Sequence, residues 1–499
     1  MVGYRMSDGL LPKVPSPLTP VTLPVLPLDL PRSRNYAQLP FGSTQFIAPC
    51  SVDRNDIATQ KAGLEKRVIR DIPPAFVPLL HEFSEYVKRW LSANMVPLST
   101  VLDFEGWLES TTYTEGRKTE LRRVKSLMHQ DLPTRKQCQR VNSFVKHESY
   151  PEFKHARWIN SRCDAFKVYS GPYFKSIEQE VFKNPHFIKH VPVPDRPALI
   201  SALKKAGRRY CATDYTSFES HLSPGLMDAC ETQLYDYMLS NFPEASAVVN
   251  TTLCGMNKGG TRRGVRYAVQ GRRMSGDMCT SLGNGFTNLM VWSFLHSRKN
   301  PHGSWEGYVE GDDGIFSYTG ECPTEEEYKR LGLTIKMEFV EDPELASFCG
   351  MIYSDGSNIK DPVKFLQTFG WTDKMLNAGT SVKNRLLRSK ALSAAYELPN
   401  CPIVGAVVRR ALQKTRGFSP LLSHDGFHMP HDEFEVPLFE PSEKTRSTFA
   451  TLFGVDAEAQ KKCEQIILSG RDDDLTCLNH TLRFNSDAYL CRTLFIEYT

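Results

Sequence analysis

Three carboxylates at two separate places are the side chains of this sequence best placed to do chemistry. Asp312 and Asp313 stand together in Tyr308-Val309-Glu310-Gly311-Asp312-Asp313-Gly314-Ile315-Phe316. Apolar, β-prone runs flank a glycine-bounded pair of acids, which predicts a tight hairpin with the acids at its tip. Adjacent like charges cost stability unless a cation neutralises them. An isolated Gly-Asp-Asp is most simply a solvated turn, but this one has company. About a hundred residues upstream, Cys211-Ala212-Thr213-Asp214-Tyr215-Thr216-Ser217-Phe218-Glu219 supplies another acid at a predicted strand end. Between the two lies Met274-Ser275-Gly276-Asp277-Met278-Cys279-Thr280-Ser281-Leu282-Gly283-Asn284. Carboxylates gathered from different strands suit magnesium, which takes oxygen ligands, keeps several waters and serves reactions at phosphate.

The ordered trio resembles the palm motifs A, B and C of viral RNA-dependent RNA polymerases, from roughly Trp107 to Gly350. The wording from Arg273 to Asn284 is most similar to the tombusvirus-like and noda-like branch of positive-strand RNA viruses. That resemblance implies two Mg2+ (or Mn2+) ions bridged by Asp214 and Asp312, with Asp313 a weaker or outer ligand. It also implies that Glu219, Ser275 and Asn284, supported by Thr280, sense the ribose 2′-hydroxyl. Glu219 stands where the family usually has Asp, so the position keeps its charge and gains a methylene. Phe144 to Glu148, Lys154 and Arg157 to Arg162 resemble motif F, which makes Lys146 and Arg157, then Lys154 and Arg162, the expected contacts to nucleotide phosphates. Leu108 to Lys118 resembles motif G and offers Arg117 and Lys118 to the template, with Arg272 and Arg273 as further RNA contacts. Leu331 to Lys336 resembles motif D, where Lys336 would protonate the departing pyrophosphate; a solvated strand-end lysine is the plain alternative. Ser347-Phe348-Cys349-Gly350 resembles motif E.

The family implies an α+β fold of right-hand form, with fingers, palm and thumb and an antiparallel palm sheet flanked by helices. The expected divisions are a Pro-rich extended segment (1–55), fingers and fingertips (56–205), palm (206–240), a fingers insertion (241–270), palm again (271–355), and thumb with C-terminal extension (356–499). Finger loops are expected to reach the thumb. The implied partners are an RNA template, the nascent RNA and rNTPs. A reverse transcriptase shares the palm and the paired acids, but a DNA-making site gains nothing from polar groups that bind a 2′-hydroxyl. A non-catalytic RNA-binding scaffold is the rival from another class.

Bulk properties are those of an ordinary globular chain: 499 residues, 40% hydrophobic and 24% charged, enough for several subdomains. No apolar run approaches the roughly 18 residues of a membrane span. Membrane-associated replication in the host cytoplasm is therefore expected to need a recruiting viral or host protein. Thirteen cysteines without a CxxC pair suit a reducing compartment. Net charge is only +4, yet thirteen basic residues face six acids between Thr114 and Lys167, a local excess that suits phosphates.

The elements that must position these groups are partly legible. Seven prolines within 11–32 exclude a helix or central strand there. Thr59 to Leu91 reads as helix interrupted at Pro73-Pro74. Ser223-Pro224 opens a helix with Leu226, Cys230, Leu234 and Met238 as its apolar stripe. Asn257-Lys258-Gly259-Gly260-Thr261 reads as the turn of a basic hairpin. Asp277 to His296 reads as a long helix with Thr280, Asn284 and Asn288 along one face. Lys383 to Arg416 reads as helical and basic. His424, His428 and His431 are too loosely spaced, with no cysteine near, to make more than a weak zinc candidate.

Overall fold

The computed structural model describes residues 5–6, 21–24, 36–41, 51–148, 154–421 and 438–469. It mixes helices with four sheets. One sheet joins β1 (Val21–Thr22), β3 (Arg140–Val145), β4 (Trp158–Arg162), β6 (Met256–Gly260) and β7 (Arg266–Gln270) in the order β1-β7-β6-β3-β4. Its pairings are antiparallel except β3 with β6. A second sheet, antiparallel throughout, joins β5 (Arg209–Tyr215), β8 (Trp305–Glu310), β9 (Asp313–Tyr318) and β10 (Ile335–Val340) in the order β10-β5-β9-β8. β11 (Ser347–Phe348), β12 (Met351–Ser354) and β13 (Ser357–Ile359) make a third. A short pair, β2 (Ala37–Gln38) with β14 (Trp371–Thr372), makes the fourth.

The central strands of the second sheet, β5 and β9, are covered on both faces, and their sequence shows why. Cys211 and Phe316 belong to one apolar cluster, while Ala212 and Ile315, one position along, belong to another. Such strands read as nearly continuous apolar runs instead of clean alternation. The cover on the first face is the helix Thr280–Lys299, buried at every residue from Leu282 to His296. A helix apolar nearly all round belongs in a core. Trp292 stacks on Phe316 of β9, with centroids 3.9 Å apart and planes 5° from parallel. Burying two such rings stabilises the joint by about 1.5–3 kcal/mol each, plus about 0.5–1.5 for the pair.

Several expectations shift. The helix begins at Thr280, three residues later than its composition suggests, because Asp277 and Thr280 close a separate turn: the Thr280 hydroxyl donates to the Asp277 carbonyl at 2.7 Å. The helix after Pro224 is two, Pro224–Ala229 and Glu231–Met238, broken at Cys230 (φ −130°, ψ −73°); its four stripe residues are nonetheless all buried. Asn257 to Gly260 is not a turn but lies within β6, and the chain reverses at Thr261 to Gly264, where Gly264 has φ +92°. Gly259 is there for packing, since a Cβ would lie 2.2 Å from the Tyr267 ring.

The break at Pro73-Pro74 separates helices Ile57–Arg67 and Val77–Asn94. The basic C-terminal region holds Thr380–Glu397 and Val404–Lys414, which share a core with Leu39 and Phe41 from the N-terminal side and with the helices Glu443–Phe453 and Ala457–Ser469. Most of the Pro-rich segment, and all three histidines of the 424–431 cluster, lie outside the described residues; within the former, Val21–Thr22 forms the edge strand β1. Edge strands are where proline-rich sequence can pair.

Candidate active site

β8 and β9 form the predicted hairpin, with Glu310 paired to Asp313 and a two-residue turn of Gly311 and Asp312. Gly311 has φ +60° and Asp312 keeps negative φ, the pattern of a turn that needs glycine first. Asp312 therefore sits at the tip and Asp313 opens β9.

β5 runs antiparallel beside β9, its last pair being Thr213 with Gly314. One step further along the same register, Asp214 and Asp313 are neighbours. On its other side Asp214 pairs with Lys336 of β10, which puts those two exposed side chains on one face. Glu219 follows from the short helix Phe218–His221, entered through Ser217 in the left-handed conformation (φ 58°).

The electrostatics register this gathering. Burial, then the charges of Glu219 and Asp214, push the Asp312 carboxyl up to about 6, against the opposing pull of Arg157. Burial, then Asp312, Asp214 and Glu310, push Asp313 up to about 7. Both acids thus hold protons far longer than an ordinary aspartate because like charges crowd a partly buried turn. Among the described residues, no three His, Cys, Asp or Glu side chains already stand close enough to hold a metal ion. The donor set is nonetheless all oxygen and short of positive charge, which suits a hard divalent ion that brings its own waters.

The turn is clamped from behind. Asn288, fully buried in the helix Thr280–Lys299, donates through Nδ2 to the carbonyls of Gly311 at 3.2 Å and Asp313 at 3.0 Å. Glu310 at the base of the hairpin is paired with Arg196 at 3.0 Å and Lys189 at 3.2 Å. Across the site, Lys146 and Arg157 flank the β3–β4 connection, 2.9 and 3.5 Å from the Glu148 carboxylate. Lys154 lies in the same connection, half-buried.

Residues 166–392, a little under half of the chain, match a family model described as viral RNA-dependent RNA polymerase. This segment is similar in sequence to viral RNA-dependent RNA polymerases. It contains Asp214, Glu219, Ser275, Asn284, Asp312, Asp313 and Lys336, and it starts after the β3–β4 hairpin. The chain is also 24% identical over 268 residues to an RNA-directed RNA polymerase of turnip crinkle virus, covering 49% of this chain and 34% of the relative. It is 26% identical over 186 residues to the RNA-directed RNA polymerases of striped jack and greasy grouper nervous necrosis viruses, covering 36% of this chain and 18% of each. These fall in the tombusvirus-like and nodavirus groups that the motif wording resembles. The chain spans about a third of the first relative's length and under a fifth of the others'.

Within and beside the matched segment, several cations expected to face RNA or nucleotide are already engaged. Arg162 is 1% exposed and grips Asp277 with two bonds of 3.0 and 2.9 Å, while its third nitrogen donates to the Cys138 carbonyl. It joins β4 to the turn before the long helix. Arg273 is buried against Glu231, which also accepts from Tyr235, and its Nε lies 3.4 Å from Asn284 Oδ1. A Cβ on Gly283 would collide with that ion pair, so glycine is what lets the helix lie against it. Lys118 is tied to Glu109 at 2.6 Å and Glu115 at 3.1 Å. Arg117 binds Asp164 and Glu120, each at 2.9 Å. Arg272 is half-buried, with its Nε unbonded.

Three of the four groups expected around the ribose already have partners within the protein. Ser275 Oγ donates to the Trp158 carbonyl of β4 at 2.8 Å, Thr280 closes its own turn, and Asn284 is buried beside Arg273. Asn288 continues the polar stripe of Thr280 and Asn284 that the sequence shows, but its part in holding the acid turn is visible only in the structure. For Asp277 nothing local announces its partner.

Proposed function

We propose that this chain carries the catalytic part of a template-directed RNA polymerase, one that copies a viral RNA genome from rNTPs by displacement at the α-phosphate. The observation that supports the reading most is the meeting of Asp214 with the Asp312–Asp313 turn from strands about a hundred residues apart, inside the segment that matches the polymerase family. In this reading the second sheet is the palm, the first sheet lies in the fingers, and the helices after Thr380 form the thumb.

Asp214 and Asp312, with Asp313 outside them, would hold two Mg2+ or Mn2+ ions. Bound there, the ions lower the pKa of the attacking 3′-hydroxyl and offset charge on the entering and leaving oxygens. Arg157 and Lys146 hold the triphosphate, Arg157 with its planar fork and Lys146 as a point charge. Ser275 exchanges its bond to the Trp158 carbonyl for the ribose, and Glu219 and Asn284 complete the test for a 2′-hydroxyl. A site built to bind a hydroxyl rejects a substrate that lacks it. Lys336 would give a proton to departing pyrophosphate, a role supported by its exposure on the same face as Asp214.

The test is substrate choice. Purified chain with a primed RNA template and Mg2+ is expected to incorporate rNTPs and leave dNTPs unused. Preference for dNTPs would turn the assignment to a reverse transcriptase. Tight RNA binding with no synthesis under Mg2+ or Mn2+ would favour a scaffold.

A further inference from the structure

The solvent face of the five-stranded sheet is a second basic surface, separate from the acids. On β3, Arg140, Asn142 and Phe144 point outward at every second position. Across the parallel register Arg140 pairs with Lys258 and Asn142 with Gly260. Gly260 then pairs with Arg266 on β7, and Arg266 with Thr22 on β1. A cavity of 1060 Å³ runs from Arg54 over β3 to Arg262 and Arg263, and a second of 620 Å³ continues over Lys258 and Arg266. They share Arg140, Asn142, Gly260, Thr261 and Arg262, so they form one trough.

Six cations line this trough and no aspartate or glutamate does. Arg263 is held by the Asn55 side chain, 3.0 Å away. The other five make no ion pair among the described residues. That separates them from Arg117, Lys118, Arg162 and Arg273, whose charges are already matched by acids. Uncompensated cations around a polar floor attract a polyanion. Phe144 adds an aromatic ring that is 53% exposed at the rim, and such a ring beside a basic groove is a platform for an unpaired base. The trough also leads somewhere. β3 runs from Arg140 directly into Lys146, whose backbone N–H bonds the Arg157 carbonyl at 2.8 Å, and the Arg157 charge acts on Asp312.

We propose that this face binds single-stranded RNA, its phosphates on Arg54, Arg140, Lys258, Arg262 and Arg266 and a base on Phe144. The choice of RNA as the polyanion rests on the polymerase reading. The test uses the full chain, a labelled 20-nucleotide single-stranded RNA, and anisotropy titrations at several salt concentrations. Replacing Arg140, Lys258, Arg262 and Arg266 together by alanine is expected to weaken binding at least tenfold and to make the log–log salt dependence shallower by about 3, at about 0.7 per lost phosphate contact. Arg→Lys replacements at Arg140, Arg262 and Arg266, which keep the charges, should retain the salt slope, and this arm stands even if the alanine set folds poorly. Phe144→Ala should weaken binding about fivefold or more with the slope unchanged.

Unchanged affinity and slope in a folded alanine variant would overturn the proposal. So would loss of binding to anionic vesicles with RNA binding intact, since the face would then be a membrane contact. Magnesium-dependent extension is scored separately. Cation-dependent RNA binding in a chain that extends no primer would remove the polymerase reading and still support this one.

Discussion

Asp313 keeps its proton to about pH 7 because burial and three neighbouring carboxylates oppose its charge. Its folded value lies above the unfolded one, so the native state binds the proton more tightly and ionising it costs stability. That cost is absent below about pH 4, grows as pH rises, and is complete above about pH 7. Asp313→Asn is therefore expected to raise the metal-free melting temperature at pH 8, by the equivalent of about 1–3 kcal/mol, and to leave it nearly unchanged at pH 4. Added Mg2+ should stabilise the wild type more than this variant. Equal shifts at both pH values, read by scanning fluorimetry, would show that charge crowding is not the cause. The acids themselves were legible, because Gly-Asp-Asp-Gly between apolar runs is a local pattern whose turn chemistry needs no distant partner. Arg162 and Arg273 were not. A basic residue near a motif is a phosphate contact or an ion-pair member depending on an acid 115 or 42 residues away, and neither Asp277 nor Glu231 carries a local sign of that pairing.

At the scale of elements, the site depends on two joints. The first is Asn288 on the core helix, which fixes the acid turn through two carbonyls. Asn288→Ala is expected to cost about 1–3 kcal/mol by leaving two partly buried carbonyls without their partner, and to lower the rate of extension with little change in KM for rNTPs. A change confined to KM would place Asn288 in nucleotide binding instead. The second joint is Arg162 with Asp277, which ties β4 to the turn carrying Ser275. Arg162→Ala should destabilise the fold by about 3–5 kcal/mol, since it strands a buried carboxylate. A stable Arg162→Ala protein with a raised KM for rNTPs would restore the phosphate-binding role. Helix existence was readable from periodicity here, while helix ends were not. The Thr280 start and the break at Cys230 are set by hydrogen bonds and packing that composition does not encode. The Asn257 to Gly260 run misled because glycines mark close approach as well as turns, and the Tyr267 ring takes the space that a side chain on Gly259 would need.

At the scale of the molecule, distant parts of the chain converge around the hairpin that overlooks the acids. His147, just beyond β3, lies 3.3 Å from Asp373 beside β14, and Tyr36 from the N-terminal side packs against the same imidazole at 5.3 Å. These contacts are long-range, so only the family resemblance anticipated that such loops should reach the C-terminal region. No described helix is long and apolar enough to cross a membrane. In flotation with neutral liposomes the purified chain is expected to stay unbound, and tight binding would contradict the proposed need for a recruiting partner. The central claim, that Asp214 and the Asp312 turn form a metal-dependent nucleotidyl-transfer site, is tested most directly by extension of a primed RNA template with rNTPs and Mg2+, wild type beside Asp312→Asn. The expected result is template-length RNA from wild type and a loss of at least about a hundredfold in the variant. Equal synthesis by a folded Asp312→Asn protein would contradict it.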